Sequence, residues 1–130
     1  MAQYPVEMIL LKQWAEHMAS SIWLMDGAGN LVYYNEPAEA ILGLRFNEAG
    51  AIHSDHLADL FQTTDLDGQP IDTADLPVVI ALTKSEPAHA AVRIRDRTGQ
   101  SRDLEITALP IEAAGGRHLG AIAIFWEIGK

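Results

Sequence analysis

Asp26-Gly27-Ala28-Gly29-Asn30-Leu31-Val32-Tyr33-Tyr34-Asn35-Glu36-Pro37-Ala38 is the stretch whose reading decides the fold. Gly27 to Asn30 have turn chemistry, and Leu31 to Tyr34 are β-formers. With Ile22 to Asp26 ahead of the turn, they read as a β-hairpin. Asn35 or Glu36 can then open a short helix, with Pro37 in its first turn and Gly43 at its stop.

Before the hairpin, Val6 to Ser20 read as an amphipathic helix. Leu11, Trp14, Ala15, Met18 and Ile22 recur at helical spacing, with Lys12, Gln13, Glu16 and His17 mostly on the other side. After it, residues 44 to 73 show little periodicity. A helical turn is expected over Asp55 to Phe61, capped by Ser54 or Asp55, and a loop over Asp65 to Pro70. Asp75 reads as the cap of a helix that carries Pro77 in its first turn and ends near Lys84.

Three strands follow, over Ala91 to Asp96, Asp103 to Leu109 and Leu119 to Ile128. The first two alternate, and their register follows from keeping apolar residues on one face. An odd-length connection pairs Ile94 with Leu104 and Val92 with Ile106, and sets Arg95 opposite Asp103 and Arg93 opposite Glu105. Interleaved acids argue against a nucleic-acid patch on Arg93, Arg95 and Arg102. By contrast, Ile22 to Met25 and Ala121 to Trp126 are apolar on both faces. Such strands need cover on both sides. The middle helices can supply one cover, and the N-terminal helix or a second subunit the other.

Composition bounds the function. One domain's length with 48% hydrophobic and 21% charged residues supports a packed core without disulfides. There is no cysteine, which excludes disulfides, thiolate metal sites, thiol nucleophiles and flavin–cysteine adducts. A net charge of −9 disfavours nucleic acid and anionic lipid. Neither a secretion signal nor a membrane span is read, so the expected compartment is the cytoplasm.

The order helix, two strands, short helices, three strands resembles the PAS family. Asp26 to Ala38 is similar to that family's opening hairpin and asparagine-led helix. Asp67-Gly68-Gln69-Pro70 with Asp75-Leu76-Pro77 resembles its loop and long helix, and Gly120 to Phe125 its closing strand. The resemblance runs from about Ser20 to Ile128 and is greatest to stand-alone actinobacterial PAS proteins. It implies an α+β fold with a five-stranded antiparallel sheet in the order 2-1-5-4-3. Short helices would cover one face and the N-terminal helix the other. Residues 1–20 would form the dimer or sheet-covering helix and 21–130 the core.

It also implies a small cavity holding haem, flavin, a metabolite or nothing. Its expected lining is Leu24, Tyr34, Asn35, Ile41, Leu60, Val79, Leu82, Ile94, Ile106 and Ile124. Leu11, Trp14, Met18, Trp23 and Trp126 are expected at a homodimer interface. Trp23 and Trp126 could stack on adjacent strands if they share an orientation; core or subunit-interface packing is the expected role of the tryptophans, with an aromatic wall of a ligand cavity as the alternative.

No resident cofactor is expected. The resemblance implies that a haem's axial histidine would lie on or near the long middle helix; that helix has none here, which leaves His89 just after it as the candidate haem ligand. Flavin would have to bind without a covalent bond. His53-Ser54-Asp55-His56 lacks the spacing of a closed metal site and reads as a solvated loop. No nucleophile turn or phosphate-cradling loop is present, so no catalytic residue is assigned. The expected function is a cytoplasmic sensor or interaction module, not an enzyme. It would couple a small ligand, or a signalling partner acting in trans, to dimer or docking geometry. The alternatives are a haem or flavin redox or gas sensor, and a ligand-free scaffold. Kinase-joined members of the family it resembles often carry an aspartate near the position of Glu127 and a threonine soon after; with Glu127 and no threonine here, the resemblance implies a free-standing protein, with a domain cut from a longer sensor as the alternative.

Overall fold

The computed structural model describes residues 4–129. Met1 to Gln3, part of the expected N-terminal segment 1–20, and Lys130, the last residue of the expected core 21–130, lie outside the described residues. Helix α1 spans Val6–Glu16, followed by β1 (Ser21–Asp26) and β2 (Leu31–Tyr34). Then come α2 (Glu36–Leu42), α3 (Phe46–Ala49), α4 (Leu57–Leu60) and α5 (Pro77–Lys84), with short 3-10 turns at Ser54–His56 and Thr73–Asp75. The chain continues through β3 (Ala88–Arg95), β4 (Ser101–Ala113) and β5 (Arg117–Glu127). All strand pairs are antiparallel, in the order β2-β1-β5-β4-β3.

The double-faced apolarity of β1 and β5 has its cause in that order. They are central neighbours, pairing from Ser21 opposite Phe125 to Asp26 opposite Gly120. On the inner face, Trp23, Met25, Ala121, Ala123 and Phe125 join the core under α2, α4 and α5. On the outer face, Ile22, Leu24 and Ile122 pack under Met8 and Ala15 of α1. Burying a side chain such as that of Met8 contributes about 1.5–3 kcal/mol, and Met8 and Ala15 are the buried residues by which α1 rests on the sheet. Gly120 permits the closest approach. Its φ is +150°, and a Cβ there would collide with the Met25 carbonyl of β1.

The local boundaries correct several expectations. α1 stops at Glu16 rather than Ser20. The His17 and Met18 N–H groups turn back to Trp14 and Ala15, and the Ala15 carbonyl also accepts from Asn35 Nδ2 at 3.0 Å. The turn at Ser54–His56 is capped by the His53 ring, which accepts from the Asp55 N–H, and not by Ser54 or Asp55. α5 begins at Pro77 behind Leu76, without a side-chain cap from Asp75. α2 follows its reading: Asn35 caps it, accepting from the Ala38 N–H, and Gly43 ends it in the left-handed region.

The β3–β4 register keeps the expected parity but slides by two residues. Val92 pairs with Leu104, Arg93 with Asp103 and Ile94 with Arg102. Val92 therefore does not face Ile106, nor Ile94 Leu104. Arg95 faces Ser101, and Glu105 faces Ala91. Asp96 is the reason. Its Oδ1 accepts from the Thr98 and Gln100 N–H groups and the Thr98 hydroxyl, which closes the connection within Asp96–Gln100. β3 and β4 are also longer than their alternation suggested, because β4 runs on through Pro110 to Ala113 beside β5.

Candidate functional site

Between the inner face of the sheet and the helices lies a cavity of about 80 Å³. β3 and β4 give it Val92, Ile94, Leu104 and Ile106; the central strands add Trp23, Ala123 and Phe125. The helical side closes with Leu42, Leu57, Phe61 and Leu76 to Val78, and Thr63 brings a hydroxyl. Trp23 is positioned by its register. It stands opposite Ala123, and the small alanines at 121 and 123 leave room for large side chains from β1. The indole stacks on Tyr34, with centroids 5.2 Å apart and rings parallel, and meets Phe61 edge-on at 6.4 Å.

Of the ten expected lining residues, Ile94 and Ile106 line the cavity. Tyr34, Val79 and Leu82 are buried in the same core without reaching it, and Ile41 and Leu60 are half-buried at its margin. Leu24 and Ile124 lie on the opposite face under α1, because their strand positions alternate with Trp23 and Ala123. Asn35 is buried at a junction. It donates to the Ala15 and Ser20 carbonyls and accepts from the Ile22 and Ala38 N–H groups. Phe61 and Thr63 escaped sequence reading because they sit in an irregular segment. Gln62 between them has φ +46°, strained for a non-glycine residue. The small–large alternation of Ala121 to Ile124 was the signal that could have turned Trp23 inward.

The expected interface set divides likewise. Trp23 is buried inside, so it is removed from the surface, and it cannot stack with Trp126 across the sheet. Leu11 and Met18 are half-buried beneath α1. Trp14 and Trp126 are each 46% exposed, as are Val6, Ile9, Leu10 and Leu109 to similar degrees. Lys12 sits 5.5 Å over the Tyr33 ring of β2. At about 100° per residue, Trp14 lies some 200° round the helix, on the flank away from β2.

At one end of the inner face, three charges form a closed set. Arg102 Nε meets Asp96 Oδ2 at 2.7 Å, and Nη1 meets Glu127 Oε1 at 3.0 Å. Burial alone would push the Asp96 carboxyl up. Hydrogen bonds from Thr98, Arg102 and the Gln100 and Thr98 N–H groups outweigh it and hold the group well below the usual carboxylate range. Burial, with Glu39 and Glu48 nearby, pushes the Tyr34 phenol up to about 12; its hydroxyl donates to the Leu44 carbonyl at 2.7 Å.

His89, the candidate haem ligand, projects from the outer face. Its ring contacts Thr107 Oγ1 at 2.8 Å and Glu105 at 3.7 Å, so it does not fit a haem in this cavity. His53 uses one ring nitrogen on the Ala28 carbonyl and the other on the Asp55 N–H. Among the described residues, no helix is long and apolar enough to cross a membrane.

A family model described as PAS fold matches residues 10–128. The structure is similar to the PAS domain of a protein from Colwellia psychrerythraea, with TM-score 0.66 and 17% identity, covering 94% of this chain and 97% of that one. It is similar to the PAS domain of nitrogen regulation protein NR(II) from Vibrio parahaemolyticus, at 0.61 and 20%, covering 92% and 98%. The LOV protein of Rhodobacter sphaeroides gives 0.74 and 14%, covering 97% and 70%. At such identities the likeness is one of fold. No curated protein matches the sequence.

Proposed function

The chain belongs to the PAS family, signal-sensing modules of sensor and regulatory proteins, and from that premise we propose that it reports occupancy of its inner cavity through α1. The observation that carries this reading is the shared central pair. β1 and β5 wall the cavity with Trp23, Ala123 and Phe125, and support α1 on their other face with Ile22, Leu24 and Ile122. A ligand that binds one packing of this pair better shifts the population of both layers. The output is a change in self-association or in docking to a signalling partner in trans, without catalysis.

Self-association is assigned to the exposed flank of α1 with the neighbouring sheet surface. Leu10, Trp14, Leu109 and Trp126 are its apolar members. Native mass spectrometry with an absorption spectrum tests the proposal. A homodimer that Trp14→Glu turns into a monomer, with small-molecule mass in the cavity, is the expected result. A wild-type monomer would remove the dimer output. A colourless dimer without added mass would favour a second reading, a ligand-free scaffold. The small cavity volume supports that reading, since side chains already fill most of the interior.

A further inference from the structure

We propose that the open half of the β3 edge, at His89 and Ala91, takes an extended basic segment of a partner protein as an added strand. His89 and Ala91 belong neither to the cavity wall nor to the layer under α1, so this docking is independent of the sensor reading above.

β3 is an edge strand, and the chain itself already uses half of that edge. Thr64 and Arg93 exchange both backbone hydrogen bonds, at 2.9 and 2.8 Å, and the Arg95 N–H donates to the Phe61 carbonyl at 2.8 Å. The covering chain then leaves through the turn that the Asp65 N–H closes on the Gln69 carbonyl. Backbone groups alternate in direction along a strand, so His89 and Ala91 point theirs the same way as Arg93 and Arg95. Among the described residues, no backbone group outside the sheet bonds to them. Edge strands are commonly blunted by a bulge, a lysine or a proline. β3 keeps an unbroken register with β4 from Ala88 to Arg95, and positions 88, 90 and 91 are alanines. Pro87 guards only the entrance. Two donors and two acceptors therefore stand open in line, the template that strand addition uses.

The partner's charge follows from the neighbours. Glu105 of β4 stands opposite Ala91. Its side chain is 39% exposed and meets only the exposed His89 ring, at 3.7 Å, among the charged groups of the described residues. The small Ala91 side chain leaves that carboxylate open toward the edge. Asp65 and Asp67 add negative charge beside Arg93, which Asp103 already holds at 2.7 Å. A lysine or arginine placed opposite Ala91 in the added strand would reach Glu105 across the alanine methyl. A second copy is disfavoured as the occupant. Two chains of net charge −9 repel, and the alanines of this edge bring little apolar area to offset it.

The test adds a blocked pentapeptide, Lys-Val-Arg-Val-Thr, to the intact chain and follows amide hydrogen exchange by NMR. Protection of the His89 and Ala91 amide protons is expected. The Ala90 and Val92 amides, which face β4, should change little. N-methylation of the peptide's arginine removes a donor and keeps the side chain, and should weaken binding about ten-fold or more. Replacing its lysine and arginine by glutamate should weaken binding about five-fold. Ala91→Lys puts a cation on the edge beside Glu105 and should abolish the protection; if that variant does not fold, the N-methylated peptide decides. Equal binding of the N-methylated or the acidic peptide would overturn the proposal, as would no protection by any peptide at millimolar concentration. Protection of His89 and Ala91 in the free protein that disappears on dilution would place a second copy on the edge and overturn the partner class.

Discussion

Asp96 shows how one side chain can set a register. Its buried carboxylate closes the β3–β4 turn and holds Arg102, which in turn holds Glu127 at the end of β5. Asp96→Asn is expected to destabilise the protein by about 3 kcal/mol near neutral pH, as removal of one member of a buried pair does. The folded-state pKa of Asp96 is depressed, so its contribution is present above the unfolded value near 4 and is lost as pH falls below it. Urea unfolding at pH 7 and pH 3 should show the variant's deficit shrinking in acid. An equal deficit at both would mean that the charge is not the source. Tyr34 works at the other end of the scale. Its phenol is raised from 10.0 to about 12, so its contribution is intact below pH 10 and fades as pH rises towards 12. Tyr34→Phe should lose about 1 kcal/mol at pH 7 with the bond to Leu44. Its alkaline unfolding between pH 10 and 12 should be flatter than that of the wild type, measured by fluorescence melting. A parallel curve would place the alkaline sensitivity elsewhere.

Among the elements, α1 depends on a residue outside it. Asn35 joins its last turn to β1 and α2 through four hydrogen bonds. Asn35→Ala removes a helix cap and leaves buried backbone groups unpaired, a loss of about 3 kcal/mol. Hydrogen exchange should accelerate most in α1 and the first turn of α2, while β4 and β5 change least. Uniform acceleration would show that α1 is not separately held. This junction also marks how far the sequence can be read. Asn35 was legible as a cap from Asn-Glu-Pro, but its reach to Ala15 is a tertiary contact that no local pattern encodes. Strand order came from the resemblance to the PAS family, and the apolar runs Ile22 to Met25 and Ala121 to Trp126 agreed with it, since both strands needed two covers. The cavity was read less well. Choosing its lining needed the face of each strand residue, and Leu24 and Ile124 were assigned one position out of phase. Phe61 and Thr63 lie where Gln62 breaks the backbone pattern with a positive φ, so periodicity had nothing to report there.

For the whole molecule, charge and apolar surface act against each other. A net charge of −9 repels a second copy, while Leu10, Trp14, Leu109 and Trp126 favour it. Raising salt screens the repulsion and leaves apolar burial in place. Sedimentation at about 50 and 300 mM salt, on either side of the screening range, should therefore show tighter self-association at the higher value. Looser association would indicate an interface held by ion pairs. The central pairing has one more consequence. Trp23 and Ala123 stand side by side in space, yet about one hundred residues separate them along the chain. During synthesis β1 leaves the ribosome long before its neighbour exists, and α1 emerges with no finished surface to rest on. Closing so long a loop is slow. The nascent chain therefore carries the apolar run Ile22 to Met25 uncovered until β5 arrives, a window in which a chaperone has something to hold.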